Sequence, residues 1–466
     1  MHLAPGSGRK ATEERPKVHP LCMTLLRFRT ENHKSFKDLT ELSLVRPEMK
    51  SARPTDGTWS DYALRIAAVY GPNASGKSSL LDAVEFMLGV VRNSSTVWRE
   101  RNSLPHQPFL LDEASRVQPS SYSIDFTLDD TRFEYGFSLT QEEIRTEWLY
   151  DYPVGRQRLL FERGLDTKYR FGRALKGDTA ALERLTGPRE LLLSRAAIDE
   201  HPVLTPVFNA LTSGFEFAKF SEGSRQQRLR DIAEGIATEA ISMEDIVVLV
   251  RVADVGNAQV GVAETKTPPE LLRMFQAMEK AAAEPMESDG EDDQQVPIKF
   301  AIDEVTKRLE FQHLGAEGKY YRLAPADQST GTLSWLSLAV PAVEALRKGT
   351  VLLIDEIDAS LHPQLAQVLI QMFKDDGLNP RAAQLIFTTH DTYFISPVAE
   401  ATLTPEEVWL VEKSRVGVSE LFSLSDFSPR RDQNLARRYL HGRYGATPHL
   451  APAFLQQLVA AGTADQ

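Results

Sequence analysis

A single cysteine, Cys22, in a chain of 466 residues excludes an internal disulfide and a thiolate metal cluster, and it fits a reducing compartment. No apolar run approaches the ~18 residues needed to cross a bilayer. Residues 1–22 carry Pro, Lys and Arg without the apolar core of a secretory leader. These absences predict a cytoplasmic protein that does not engage a membrane. Basic excess is missing too. With 53 Lys and Arg against 65 Asp and Glu, the net charge of -12 excludes a protein that coats nucleic acid over its whole surface and leaves room only for a local contact. What remains is ordinary globular composition, 42% hydrophobic and 25% charged, with room for two or three domains.

The most informative segment is Gly71-Pro72-Asn73-Ala74-Ser75-Gly76-Lys77-Ser78, a complete GxxxxGKS loop with Ser79 following it. Ile66-Ala67-Ala68-Val69-Tyr70 before it suits a buried strand, and Leu80, Leu81, Val84, Met87 and Leu88 behind it recur with helical spacing. Gly71 and Gly76 let the backbone fold around phosphate oxygens, and the helix start offers unpaired N–H groups. Lys77 adds a point charge, and the Ser78 hydroxyl suits Mg²⁺. This arrangement predicts binding of a nucleoside triphosphate.

Composition shifts divide the chain. Residues 1–22 read as a flexible extension, and a strand-like stretch with Leu25, Leu26 and Phe28 follows Met23. Residues 23–182 hold the phosphate loop and an antiparallel sheet. In that sheet Ile124, Phe126 and Leu128 alternate up to Asp129-Asp130, and Phe133, Tyr135, Phe137 and Leu139 resume the pattern as a hairpin. Residues 183–296 read as an inserted helical region that ends in an acidic mobile loop, 284–295, too poor in apolar residues to pack. Residues 297–448 form a second part of the same head, and 449–466 a tail.

A phosphate loop alone hydrolyses nothing, because a Mg²⁺-ordering carboxylate and a water-activating group must come from elsewhere. Val351-Leu352-Leu353-Ile354 is a buried-strand run ending in Asp355-Glu356, so two carboxylates emerge where open α/β sheets bind ligands. Asp355 would hold Mg²⁺ through water and Glu356 would polarise the attacking water. Acidic residues after a strand also serve as helix N-caps, and it is the pairing with the phosphate loop that favours the chemical reading. The strand Gln384 to Thr389 ends at His390, which either reaches the γ-phosphate or is simply a polar boundary residue. Upstream, Gln328-Ser329-Thr330-Gly331-Thr332 opens a helix that Gly349 stops. Its N-terminus is a second phosphate-seeking dipole or a plain helix cap.

Phosphate loop, Ser-x-Gly, strand with Asp-Glu, and strand with His stand in the order of ABC ATPases. More narrowly, the chain resembles the ABC/SMC-branch AAA ATPases of phage-defence operons, such as the ATPase subunits of AbiL and PARIS-type systems and the ATPase half of OLD proteins. The resemblance is carried by Leu26 to Phe36, Ala68 to Ser78, Ile354 to Pro363 and Arg438 to Ala446. It implies an α/β fold: a P-loop ABC-type ATPase head with a mixed sheet, an antiparallel β subdomain and an inserted helical region. Further, it implies ATP and Mg²⁺ as ligands and a homodimer or higher oligomer in which Ser329 and Gly331 of one subunit close on the γ-phosphate held by Lys77 of the other. Asn32, Lys34 and Ser35 would lie near the nucleotide, and Asp358 would fall in a loop that crosses the dimer interface. The second glycine of the transporter signature is missing here. No glutamine for sensing Mg²⁺ is clear, and Gln107 is the candidate. Family members commonly work with a separate effector, a nuclease or Toprim-type protein. A RecF-like or SMC-like DNA-maintenance ATPase is the alternative, and its basic surface would come from Arg430, Arg431, Arg437, Arg438 and Arg443.

Overall fold

The computed structural model describes residues 23–49, 53–165, 168–219, 221–253, 259–266, 273–274, 305–323, 328–359, 361–430 and 433–447. The expected extension 1–22 with Cys22, the acidic loop 284–295, Arg431 and the tail 449–466 lie outside these residues. The first half of the chain is strand-rich: β1 (Met23–Glu31), β2 (Thr40–Ser43), β3 (Ile66–Tyr70), β4 (Ser120–Leu128), β5 (Thr131–Leu139), β6 (Ile144–Tyr152), β7 (Arg158–Arg163) and β8 (Tyr169–Phe171). The rest of the chain adds β9 (Phe215–Ala218), β10 (Gln259–Lys266), β11 (Val305–Leu314), β12 (Tyr320–Leu323), β13 (Val351–Ile354), β14 (Gln384–Thr389), β15 (Val408–Lys413) and β16 (Ser419–Ser423).

The central sheet runs β16-β15-β3-β14-β13-β9. All its pairings are parallel except the edge pair β15–β16, so the sheet is mixed. Every residue of β3, β13 and β14 is buried, as expected for parallel strands covered on both faces. Period-two alternation then separates two cores. Ala67, Val69, Val351 and Leu353 face one side, where they meet Leu80, Val84 and Met87 of helix Lys77–Asn93. Ile66, Ala68, Leu352 and Ile354 face the other, against Trp335, Leu336 and Ala339 of helix Thr330–Lys348 and Leu369 of helix Pro363–Lys374. The central sheet with a helical layer on each face, joined to an antiparallel subdomain, is the α/β architecture expected from the sequence.

That subdomain is the seven-stranded sheet β2-β1-β4-β5-β6-β7-β8. Its hairpin β4–β5 turns at Asp129 and Asp130, both with positive φ (49° and 59°), the geometry a tight two-residue turn requires.

The expected helical insertion at 183–296 divides differently. Helices Leu192–Ile198 and Leu204–Ser213 bury Leu193, Ala196, Val207 and Leu211 in the same core as the phosphate-loop helix. β9 is an edge strand of the central sheet, paired with β13, and β10 joins β11 and β12 in a small antiparallel sheet. Helices Glu222–Ala237 and Met243–Ala253 stand between β9 and β10. A four-residue strand between helical stretches leaves too short a pattern to stand out from its surroundings. Among the described residues no helix is long and apolar enough to cross a membrane.

Candidate functional site

β3, β13 and β14 run parallel and in register, so their C-terminal ends deliver the phosphate loop, Asp355-Glu356 and His390 to one edge of the sheet. Gly76 adopts φ 116°, and a Cβ there would stand 2.5 Å from Ser419 Oγ and 2.8 Å from Ser35 Oγ. Only glycine fits that point of the loop. Ser35 and Ser419 line its outer side, tied together by Ser419 N–H donating to Ser35 O at 2.8 Å. The Lys77 ammonium, almost fully buried, donates to Gly71 O at 2.8 Å and Pro72 O at 3.1 Å, so the loop closes around its own cation. Burial lowers its pKa, against the pull of Glu356, Asp358 and Asp355.

Asp355 Oδ1 accepts hydrogen bonds from Ser78 Oγ at 3.0 Å and from Thr388 Oγ1 at 2.6 Å. Thr388 Oγ1 accepts in turn from the Glu356 amide at 2.7 Å. Three strand ends are thereby fixed to one another through side chains. A serine hydroxyl and one carboxylate are hard oxygen donors, the set that suits Mg²⁺, which takes few protein ligands and completes its shell with phosphate and water. Among the described residues no cluster of three or more His, Cys, Asp or Glu offers an alternative metal cage. Glu356 is held at φ 52°, a left-handed conformation that a non-glycine residue adopts at a cost and that functional sites often store.

His390 is largely exposed, and its Nδ1 lies 3.1 Å from Asp358 Oδ2, which also accepts from the His390 amide at 3.3 Å. Asp358, expected in a loop that crosses the dimer interface, turns its side chain to His390. That side chain is 5% exposed and turned inward, where it holds His390.

Asn32 donates from Nδ2 to Ser115 O and Gln118 O, and its Oδ1 accepts from the Phe109 amide. With its amide so engaged and the residue buried, Asn32 shapes the turn that carries Lys34 and Ser35. Gln107 is not brought to Ser78 or Asp355. Its backbone oxygen accepts from the Lys34 amide, and the residue lines a second cavity with Lys34, Ser35, Leu111, Lys413 and Gly417. Lys34 does stay beside the site. Its ammonium pairs with Asp82 at 2.7 Å, and both line a cavity of about 250 Å³ with Ser78, Ser79, Lys219 and Asp355. Asp82 also receives His33, whose Nε2 lies 3.0 Å away and whose Nδ1 is 2.7 Å from the Tyr122 hydroxyl. Burial lowers the His33 pKa, against the pull of Asp82.

Sequence reasoning missed Asp82, Lys219, Thr388 and Ser419. Asp82 carried a usable signal, since it follows Ser78 by one helical turn on the same face. Lys219 carried none, because β9 was not recognised as part of the sheet.

Ser329 caps the helix Thr330–Lys348, accepting from Thr332 N at 3.1 Å, while Gly331 faces open space apart from Ser329 Oγ 3.9 Å from where a Cβ would stand. None of the residues that line the Ser78–Asp355 cavity comes from Gln328–Leu333. Gln328, Thr330 and Leu333 instead line another cavity, of about 570 Å³, with Arg225, Arg230 and Arg308.

No curated protein sequence matches the chain. Among solved structures it is similar to the SMC head domain from Thermotoga maritima (14% identity, 86% of this chain and 98% of that one, TM-score 0.36). It is likewise similar to an SmcHead bound to the C-winged helix domain of ScpA (14% identity, 89% and 99%, TM-score 0.33). Stu0660 of Streptococcus thermophilus is a third such structure (9% identity, 91% and 86%, TM-score 0.32). The profile of a family described as "AAA domain, putative AbiEii toxin, Type IV TA system" matches residues 66–180 and 217–396. These two segments make up more than half of the chain and carry the phosphate loop, Asp355-Glu356 and His390, so the protein belongs to this family of AAA ATPase domains.

Proposed function

We propose that the protein hydrolyses ATP as a dimeric switch: ATP closes two heads on each other, hydrolysis parts them, and a separate effector reads the state. In this reading Gly71 to Ser79 cradle the phosphates, with Lys77 supplying charge, and Ser78 and Asp355 hold Mg²⁺. Glu356 polarises the attacking water, and His390, held by Asp358, reaches the γ-phosphate. Lys34 and Ser35 flank the loop. The observation that carries the reading is that Thr330, between Ser329 and Gly331, lines a different cavity from the one that holds Ser78 and Asp355. A helix N-terminus whose first turn lies at another cavity from its own chain's Ser78 and Asp355 is suited to a phosphate held by a second copy. The γ-phosphate would then bind the closed state better than the open one, and only such differential affinity moves a two-state equilibrium.

Ser329→Arg tests the shared site. The variant keeps nucleotide affinity in the monomer but no longer dimerises with ATP and Mg²⁺, as read by light scattering after size exclusion. ATP-induced dimerisation equal to wild type would count against the shared site.

Antiphage defence, with this chain as the sensing or regulatory ATPase beside a nuclease or Toprim-type effector, follows from the family resemblance. The protein that co-purifies with the full chain is the direct check. The DNA-maintenance alternative keeps part of its support. Arg430, Arg437 and Arg443 are exposed, whereas Arg438 is half-buried with its guanidinium 5.6 Å from the centre of the Tyr444 ring. Salt-dependent DNA affinity lost on substituting the exposed arginines would favour it.

A further inference from the structure

β9 and β13 run parallel with Ala218 opposite Ile354, so Lys219 and Asp355 are the first residues past adjacent strand ends. The Asp355 amide donates to Ala218 O at 3.2 Å, which ties the two ends together. The backbone of Lys219 is fixed from behind. Its carbonyl accepts from Arg228 Nη1 at 3.0 Å, while Arg228 Nε donates to Ser337 O on the helix Thr330–Lys348 at 3.1 Å. Its side chain is free by comparison. The ammonium is half exposed and held by Glu85 at 2.6 Å, on the phosphate-loop helix. Ion pairs so open to water are weak and exchange readily.

Two cavities meet at this lysine. One, of about 250 Å³, contains Ser78 and Asp355, and the other, of about 310 Å³, contains Asp355 and Glu356. Among the described residues, Lys219 is the one cation that lines both. Arg225 and Arg228, which line only the second, are engaged with Ser334, Glu222, Ser337 and Lys219 O. A phosphoryl group in transfer must touch both the Mg²⁺-holding pair and the water beside Glu356, so it must sit where these cavities join. Asp355, Glu356 and Asp358 place three carboxylates around Lys77, and a phosphate entering there needs more positive charge than one ammonium supplies.

We propose that Lys219 is a further catalytic residue, leaving Glu85 to meet the terminal phosphate of the bound nucleotide. The inference rests on the ATPase reading above. Water forms the new bond to the γ-phosphorus, and its departing proton is taken up at Glu356. The bond to the β-phosphate oxygen breaks with its electron pair leaving on ADP. Lys219 keeps its protons throughout and stabilises charge on the transferring group.

The test is binding as well as turnover, with the full chain in Mg²⁺ and two probes, ADP and a non-hydrolysable ATP analogue. Lys219→Ala lowers the preference for the analogue over ADP about tenfold, the scale of one charge-assisted hydrogen bond. Its ADP affinity stays within about twofold of wild type, which shows the site is still folded. Lys219→Arg retains the preference, and so does Glu85→Gln, because that change only frees the lysine. An unchanged preference in Lys219→Ala, or equal losses for ADP and the analogue, would overturn the assignment. A wild type that binds neither probe would overturn the ATPase reading itself and this inference with it; the wild-type arm tells the two failures apart.

Discussion

Lys77→Ala weakens ATP and ADP binding at least about a hundredfold, equivalent to about 2.7 kcal/mol, as measured by titration calorimetry in Mg²⁺. The size follows from what surrounds the ammonium. Lys77 is the cation enclosed by the loop, and the charges acting on it are Glu356, Asp358 and Asp355. Removing it deletes charge-assisted hydrogen bonds to phosphate and leaves the negative potential of three nearby carboxylates unopposed. The variant loses the Lys77 bonds to Gly71 O and Pro72 O but keeps the packing of Ser35 and Ser419 against Gly76, and an unfolding temperature near wild type shows that the loss reads as binding. Retained affinity within a few-fold would remove the phosphate-loop assignment.

Glu356→Gln has its effect on the chemical step. The carboxamide matches the carboxylate in size and keeps the backbone at φ 52°, with its amide still donating to Thr388, so nucleotide affinity is preserved. What is lost is a group able to take a proton from water, a contribution of about 10²- to 10⁴-fold in rate. Hydrolysis under single-turnover conditions falls by that factor. If hydrolysis is what parts the heads, the variant accumulates the ATP-bound dimer. Turnover at the wild-type rate would show that another group orients the water, and His390, at the same sheet edge, would be the next to substitute.

The sequence made the fold readable where a pattern was long or chemically singular. GxxxxGKS between an apolar strand and an amphipathic helix, and a buried strand ending in Asp-Glu, place Ser78 and Asp355 at one sheet edge with no knowledge of distance. The structure brings them to a 3.0 Å hydrogen bond. The twin-aspartate turn between β4 and β5 was equally plain, because positive φ at two successive residues restricts the choice of side chain.

What stayed hidden depends on contacts remote in sequence. Asn32 sits in a motif that suggests a nucleotide, but its amide partners are Ser115, Gln118 and Phe109, and nothing local reveals them. Gln107 was an expectation from the family resemblance alone. The place beside Ser78 and Asp355 goes to Lys219 and Ser221, at the end of a strand only four residues long. Glu85 looks like a solvated helix face, and only the incoming Lys219 from another element gives it a role.

The shared site at the centre of this account is tested most directly by mixing two inactive variants, Lys77→Ala and Ser329→Arg, and measuring ATP hydrolysis. A hybrid dimer pairs the intact Lys77 of one subunit with the intact Ser329 turn of the other, so one complete site is rebuilt in each hybrid. A shared site gives turnover in the mixture that neither variant shows alone. A mixture as inactive as its parents, with hybrid dimers present by mass measurement, would contradict it.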